Sequence, residues 1–126
     1  MIRILHLSDP HFGACDHSVA KAFIEKVRDL TPDHTILSGD LTMRARNAEY
    51  DESRRFIDQL PKPLLVIPGN HDIPALNQPL DRFLNPFRRY RKRIASDLEP
   101  RFSDRHLQIL SLNSNRAFGL HADWSD

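Results

Sequence analysis

Leu64-Leu65-Val66-Ile67-Pro68-Gly69-Asn70-His71-Asp72 is the stretch on which the fold turns. Its first four residues are uninterrupted and apolar, the pattern of a strand covered on both faces. Pro68-Gly69 ends the run, and polar chemistry follows at once in Asn70, His71 and Asp72. Two earlier segments repeat the arrangement. Residues 2–8 read as a strand that stops at Asp9-Pro10 and is followed by His11. His34–Ser38 reads as a strand that stops at Gly39-Asp40. Helices separate the three. Ser18 is the expected cap of a helix running to Leu30, with Val19, Phe23, Val27 and Leu30 recurring at three- and four-residue steps. Residues 47–60 form the next, with Phe56, Ile57 and Leu60 inward, before Pro61 and Pro63 end it. Strand, helix, strand, helix, strand over residues 1–70 predicts β-α-β units, a mostly parallel sheet and an α/β fold. Ligands of such sheets sit beyond the carboxyl ends of the strands. All three polar clusters fall there.

The chain has 126 residues and 14.6 kDa, room for one domain and one core. Its 40% hydrophobic and 28% charged content is that of a globular protein, not a disordered tail. A formal charge of +1 argues against a surface built throughout to coat nucleic acid or anionic lipid. No apolar run nears the roughly 18 residues that cross a bilayer. Cys15 is the single cysteine, which excludes an internal disulfide and a zinc ribbon and leaves a partly buried filler. Arg3 and His6 interrupt the first apolar stretch, so no signal peptide is read and a cytoplasmic location is expected.

Further along, residues 74–98 predict helical pieces interrupted by Pro79 and Pro86, with Leu80, Phe83, Leu84 and Phe87 sharing a face. Arg88, Arg89, Arg91, Lys92 and Arg93 surround Tyr90. This run is expected to be the solvated side of a helix that turns Phe87, Tyr90 and Ile94 inward, and nucleic acid is not an expected partner. Residues 107–112 predict a fourth strand. His6 is expected to pack within its strand, and His17 and His34 to face water. Trp124 is expected to pack against further protein.

The strand-end clusters carry the chemistry. In extended backbone Asp9 and His11 would point to the same side, about 7 Å apart, where carboxylate and imidazole can grip one divalent ion. Asp40 offers two oxygens that can bridge two cations, and Gly39 beside it lets the backbone come close. Asn70 supplies a neutral amide oxygen, so it can ligate without adding charge. His71 can give a proton or a hydrogen bond to a phosphate oxygen, and Asp72 is expected to orient that ring.

Leu-Ser-Asp-Pro-His-Phe-Gly at 7–13, Ser-Gly-Asp-Leu-Thr at 38–42 and Pro-Gly-Asn-His-Asp at 68–72 resemble the calcineurin-like metallophosphoesterases, in a form similar to bacterial cyclic-nucleotide phosphodiesterases. The resemblance implies metal-dependent hydrolysis of phosphate esters at a two-metal site holding manganese, iron or zinc. It implies that Asp9 and His11 hold one ion, Asp40 bridges both and Asn70 holds the other. His71 would be catalytic, supported by Asp72, with Asn70 and His71 contacting substrate. A small-molecule phosphate ester, such as a cyclic nucleotide, is the expected substrate. Two cations about 3.5–4 Å apart stabilise developing charge on a phosphoryl group.

The family's fold is a four-layer α/β/β/α sandwich, and the family carries a further His and a Gly-His-x-His pair after these motifs. Only His106 and His121 follow His71, neither in that setting, and both read as surface or packing residues. Residues 1–126 are therefore expected to be a single, incomplete domain, the N-terminal portion of that sandwich. An uncovered sheet face would favour self-association, and the chain by itself is expected to lack full activity. The competing readings are a non-catalytic scaffold that keeps the fold, and a nuclease using the basic run.

Overall fold

The computed structural model describes residues 1–116; His121 and Trp124 lie outside them. Strands β1 (Ile4–Ser8), β2 (His34–Ser38) and β3 (Leu64–Ile67) form a parallel sheet in the order β1-β2-β3. Helices α1 (His17–Leu30) and α2 (Asn47–Ile57) make the two crossovers. The expected β-α-β units are present. Both apolar runs bounded by turn residues, His34–Ser38 and Leu64–Ile67, are strands over the whole of their predicted length.

The parallel register places Ser8 beside Ser38 and Ser38 beside Ile67, so the three strands end level. One sheet face carries Leu7, Leu37 and Val66. Against it pack Phe12, Ile24, Phe56, Ile57 and Leu60 in the main core. Phe56 links the layers, its ring centroid 5.3 Å from Phe12 and 6.3 Å from Phe23. The predicted inward stripe of α2 is thus in place, although the helix stops at Ile57 and Leu60 is reached through a tighter turn. Val27 is buried as expected, but Val19 and Leu30 are exposed.

Helix α1 is capped by Asp16 rather than Ser18. Oδ1 of Asp16 accepts the Ser18 N–H at 2.8 Å, the Ser18 hydroxyl at 2.6 Å and the Val19 N–H at 3.5 Å. A carboxylate two residues earlier thus satisfies the free N–H groups, and Ser18 becomes one of its donors.

Residues 74–98 break into two short helices, α3 (Pro79–Leu84) and α4 (Arg88–Arg93). Phe87, Tyr90 and Ile94 are buried as expected, and α4 packs on α2. The predicted shared face is not a core face: Leu80, Phe83 and Leu84 are exposed, because α3 ends before Phe87 joins the core. Three of the five basic residues serve the fold. Arg88 and Arg89 pair with Asp81, and Arg93 pairs with Asp51.

The predicted fourth strand is shorter and lies elsewhere. β4 (Arg101–Ser103) and β5 (Gln108–Leu110) form a separate antiparallel hairpin. Its turn is held by Asp104, whose Oδ1 accepts the N–H groups of His106 at 2.7 Å and Leu107 at 2.8 Å. His106 is exposed in that turn. The Phe102 ring packs at a tilt against His34, with centroids 4.1 Å apart, so His34 is half-buried rather than turned to water. The rest of this second sheet face is lightly covered. Ile4 is 45% exposed, and His6 is exposed with its Nε2 2.7 Å from Ser38 Oγ, not packed as expected. Cys15 is partly buried.

Candidate functional site

Beyond the level strand ends the chain weaves a second, irregular layer. His11 N–H donates to the Asp40 carbonyl at 3.0 Å, Phe12 N–H to Leu41 at 2.9 Å, and Gly39 N–H to Ile67 at 3.0 Å. Asp9, His11 and Asp40 all take left-handed backbone angles, with φ of 55°, 45° and 22°. The expectation that Asp9 and His11 share a side through extended backbone is therefore wrong in its geometry: β1 has ended, and left-handed turns aim these side chains. Such angles are uncommon for residues with a β-carbon and gather at functional sites.

Donor atoms of His11, Asp40 and His71 lie within 4.8 Å of one another. His11 Nε2 stands 3.8 Å from Asp40 Oδ2, and the His11 and His71 rings meet edge to face at 4.9 Å. Oδ1 of the same Asp40 carboxylate accepts the His71 backbone N–H at 2.9 Å. Asp9 is exposed and stands beside Gly39, where an added β-carbon would lie 3.3 Å from its Oδ1. Asn70 is exposed at the start of the short 3-10 turn Asn70–Asp72. The trio thus draws one side chain from behind each strand, with Asp9 and Asn70 next to it in sequence.

Within the trio, the His11–Asp40 pair fits a divalent cation. A separation of 3.8 Å is too long for a hydrogen bond. It suits two donors sharing an ion, since each would sit about 2.0–2.2 Å from it. His11 Nδ1 is buried and has no partner among the described residues. Imidazole with carboxylate is a donor set for manganese, iron or zinc.

Asp72 does something other than support the His71 ring. It is fully buried, and its carboxylate accepts four hydrogen bonds: Gly69 N–H at 2.9 Å, Leu41 N–H at 3.1 Å, Thr42 N–H at 2.9 Å and Thr42 hydroxyl at 2.8 Å. It therefore staples the turn after β3 to the turn after β2. Burial pushes its carboxyl up to about 6 while these four donors act the other way. Tyr50, also fully buried, donates its hydroxyl to the Asp72 carbonyl at 2.6 Å, and Tyr90 donates to the Val66 carbonyl at 3.0 Å. Burial raises both phenols above their ordinary value, so they stay protonated and able to donate.

The ring of His71 is held by a group no residue pattern advertises: Nδ1 lies 2.8 Å from the Met43 backbone carbonyl. A main-chain oxygen has no sequence signature, which is why this partner was missed.

Three relatives match parts of the chain. The chain is 35% identical over 80 residues, 55% of its own length and 29% of the relative's, to the glycerophosphodiester phosphodiesterase GpdQ of Enterobacter lignolyticus. It is 36% identical over 55 residues, 44% of its length and 22% of the relative's, to a probable cyclic nucleotide phosphodiesterase of Synechococcus. It is 30% identical over 140 aligned positions, 90% of its length and 42% of the relative's, to the UDP-2,3-diacylglucosamine pyrophosphatase LpxG of Chlamydia trachomatis. The chain covers less than half the length of each. The calcineurin-like phosphoesterase model matches residues 2–124, nearly the whole sequence, and with three motifs on three level strand ends the chain belongs to that family.

Proposed function

We propose that this chain carries the strand-end half of a metal-dependent phosphoesterase, acting as a phosphodiesterase on a small-molecule substrate. The observation that carries the reading is the His11, Asp40 and His71 trio, whose donor atoms converge within 4.8 Å from three separate strand ends. Divalent ions held there would polarise the phosphoryl oxygens and activate water near neutral pH. Two ions, manganese, iron or zinc, are proposed, with Asp9 and His11 at the first, Asn70 at the second and Asp40 serving both.

The protein's own contribution is placement. Asp40 is fixed through the His71 N–H, so its second oxygen is left for a cation. His71 is engaged at Nδ1, so Nε2 is its remaining nitrogen to meet a phosphate oxygen or a leaving group. Asn70, exposed beside it, is proposed to contact the same phosphate. A diester substrate is favoured by the names of two relatives, one acting on glycerophosphodiesters and one a probable cyclic nucleotide phosphodiesterase.

The test is metal content measured together with hydrolysis of a chromogenic phosphodiester. Asp40→Ala is expected to lose both metal and turnover. His71→Ala is expected to retain metal and lose turnover by about 100-fold or more. Wild-type rates in both variants would overturn the reading.

A further inference from the structure

Residues 43–46 form a loop whose backbone is tied at almost every polar atom. Met43 N–H donates to the Phe12 carbonyl at 2.9 Å, and Ala45 N–H to Thr42 Oγ1 at 3.0 Å. Glu49, a buried carboxylate 6% exposed, accepts the N–H groups of Arg44 at 2.8 Å and Arg46 at 3.1 Å through one oxygen, Oε2. On the far side Arg89 donates to the Ala45 carbonyl at 2.9 Å, and is itself held by Asp81 at 2.6 Å and Gln78 at 2.7 Å. Ala45 is fully buried with φ of 51°, a left-handed angle that this clamp maintains.

The one consequence of the clamp that reaches the site is the direction of the Met43 carbonyl, 2.8 Å from His71 Nδ1. A carbonyl can only accept, so Nδ1 must carry the proton, and the neutral ring must leave Nε2 as its lone-pair nitrogen. We infer that Glu49 and Arg89 are positioning residues: by clamping the 43–46 loop they hold His71 in the Nδ1–H tautomer, leaving Nε2 as its lone-pair nitrogen. Neither side chain touches the site. Both act through the main chain, on a histidine whose catalytic part rests on the function proposed above.

The experiment reads the ring directly. Long-range proton–nitrogen spectra of the 15N-labelled full chain, without added metal, report which nitrogen of His71 bears hydrogen. The wild type is expected to show a protonated Nδ1 and a bare Nε2. Arg89→Met and Glu49→Ala are expected to give a mixture of tautomers, whereas Glu49→Gln, which keeps an acceptor oxygen, restores the single form. In active protein, kcat should fall about 10- to 100-fold in the two disrupting variants, with KM within about twofold. Arg89 lies half-buried, so its variant tests the inference even where Glu49→Ala fails to fold. A wild-type His71 protonated at Nε2 would overturn the inference, as would an unchanged tautomer in folded Arg89→Met. Tautomer shifts as expected, in protein that hydrolyses no phosphate ester, would leave the clamp standing and remove the phosphoesterase reading alone.

Discussion

Gly69 leaves no room for a β-carbon beside Asp40: one built there would collide with the Asp40 backbone nitrogen and with its Oδ1. The turn after β3 can thus lie against the Asp40 carboxylate only because residue 69 has no side chain. Gly69→Ala should displace either the Asp40 carboxylate or the whole turn. Expected are loss of metal binding by direct metal analysis and destabilisation of about 2 kcal/mol in urea unfolding, the usual scale for overpacking.

Replacing Asp72 separates stability from chemistry. Asp72→Asn puts an amide donor where four donors converge, so at least one buried N–H or hydroxyl loses its acceptor. A loss of about 3 kcal/mol is expected, against about 2 kcal/mol for Thr42→Val, which removes one donor to Asp72 and the acceptor of the Ala45 N–H. Equilibrium denaturation of the two variants side by side checks the ratio.

Tyr50→Phe leaves the ring in place and removes the hydroxyl that meets the Asp72 carbonyl. Leaving that buried carbonyl unpaired should cost about 1–2 kcal/mol. A thermal melt superimposable on the wild type would refute the assignment of this bond as a support of the site.

Acid should weaken the cap of α1. Bonds from the Ser18 hydroxyl, then from the N–H groups of Ser18 and Val19, hold the Asp16 carboxyl below its ordinary value. The folded pKa is below the unfolded one, so the cap's stabilisation is complete above the ordinary value of 3.8 and fades as the pH falls through the folded value. Asp16→Asn caps without titrating. Melting temperatures of the two proteins should converge, then cross, as the pH is lowered from about 5 to about 2.

What was readable in the sequence follows from how each feature is encoded. Leu64–Ile67 and His34–Ser38 were legible because apolar runs meet residues that forbid a strand, and the three clusters were legible because they stand at those stops. β4 was not: three residues with one half-buried Phe102 give no period to count. The cap of α1 was misplaced because Asp16 and Ser18 are both good caps and only the geometry ranks them. For Asp72 the residue was seen and its partners were not, since they are chiefly backbone N–H groups about thirty positions away. Glu49 and Arg89 were invisible for the same reason, because what they hold is main chain.

The left-handed angles at Asp9, His11 and Asp40 have a bearing on the energy of the fold as well as on chemistry. At each of them glycine would relieve local conformational energy of about 1 kcal/mol. Shape alone would be met as well by glycine, so what the two acids and the histidine add at these positions is their side-chain chemistry, set at fixed angles by turns that cost the fold energy.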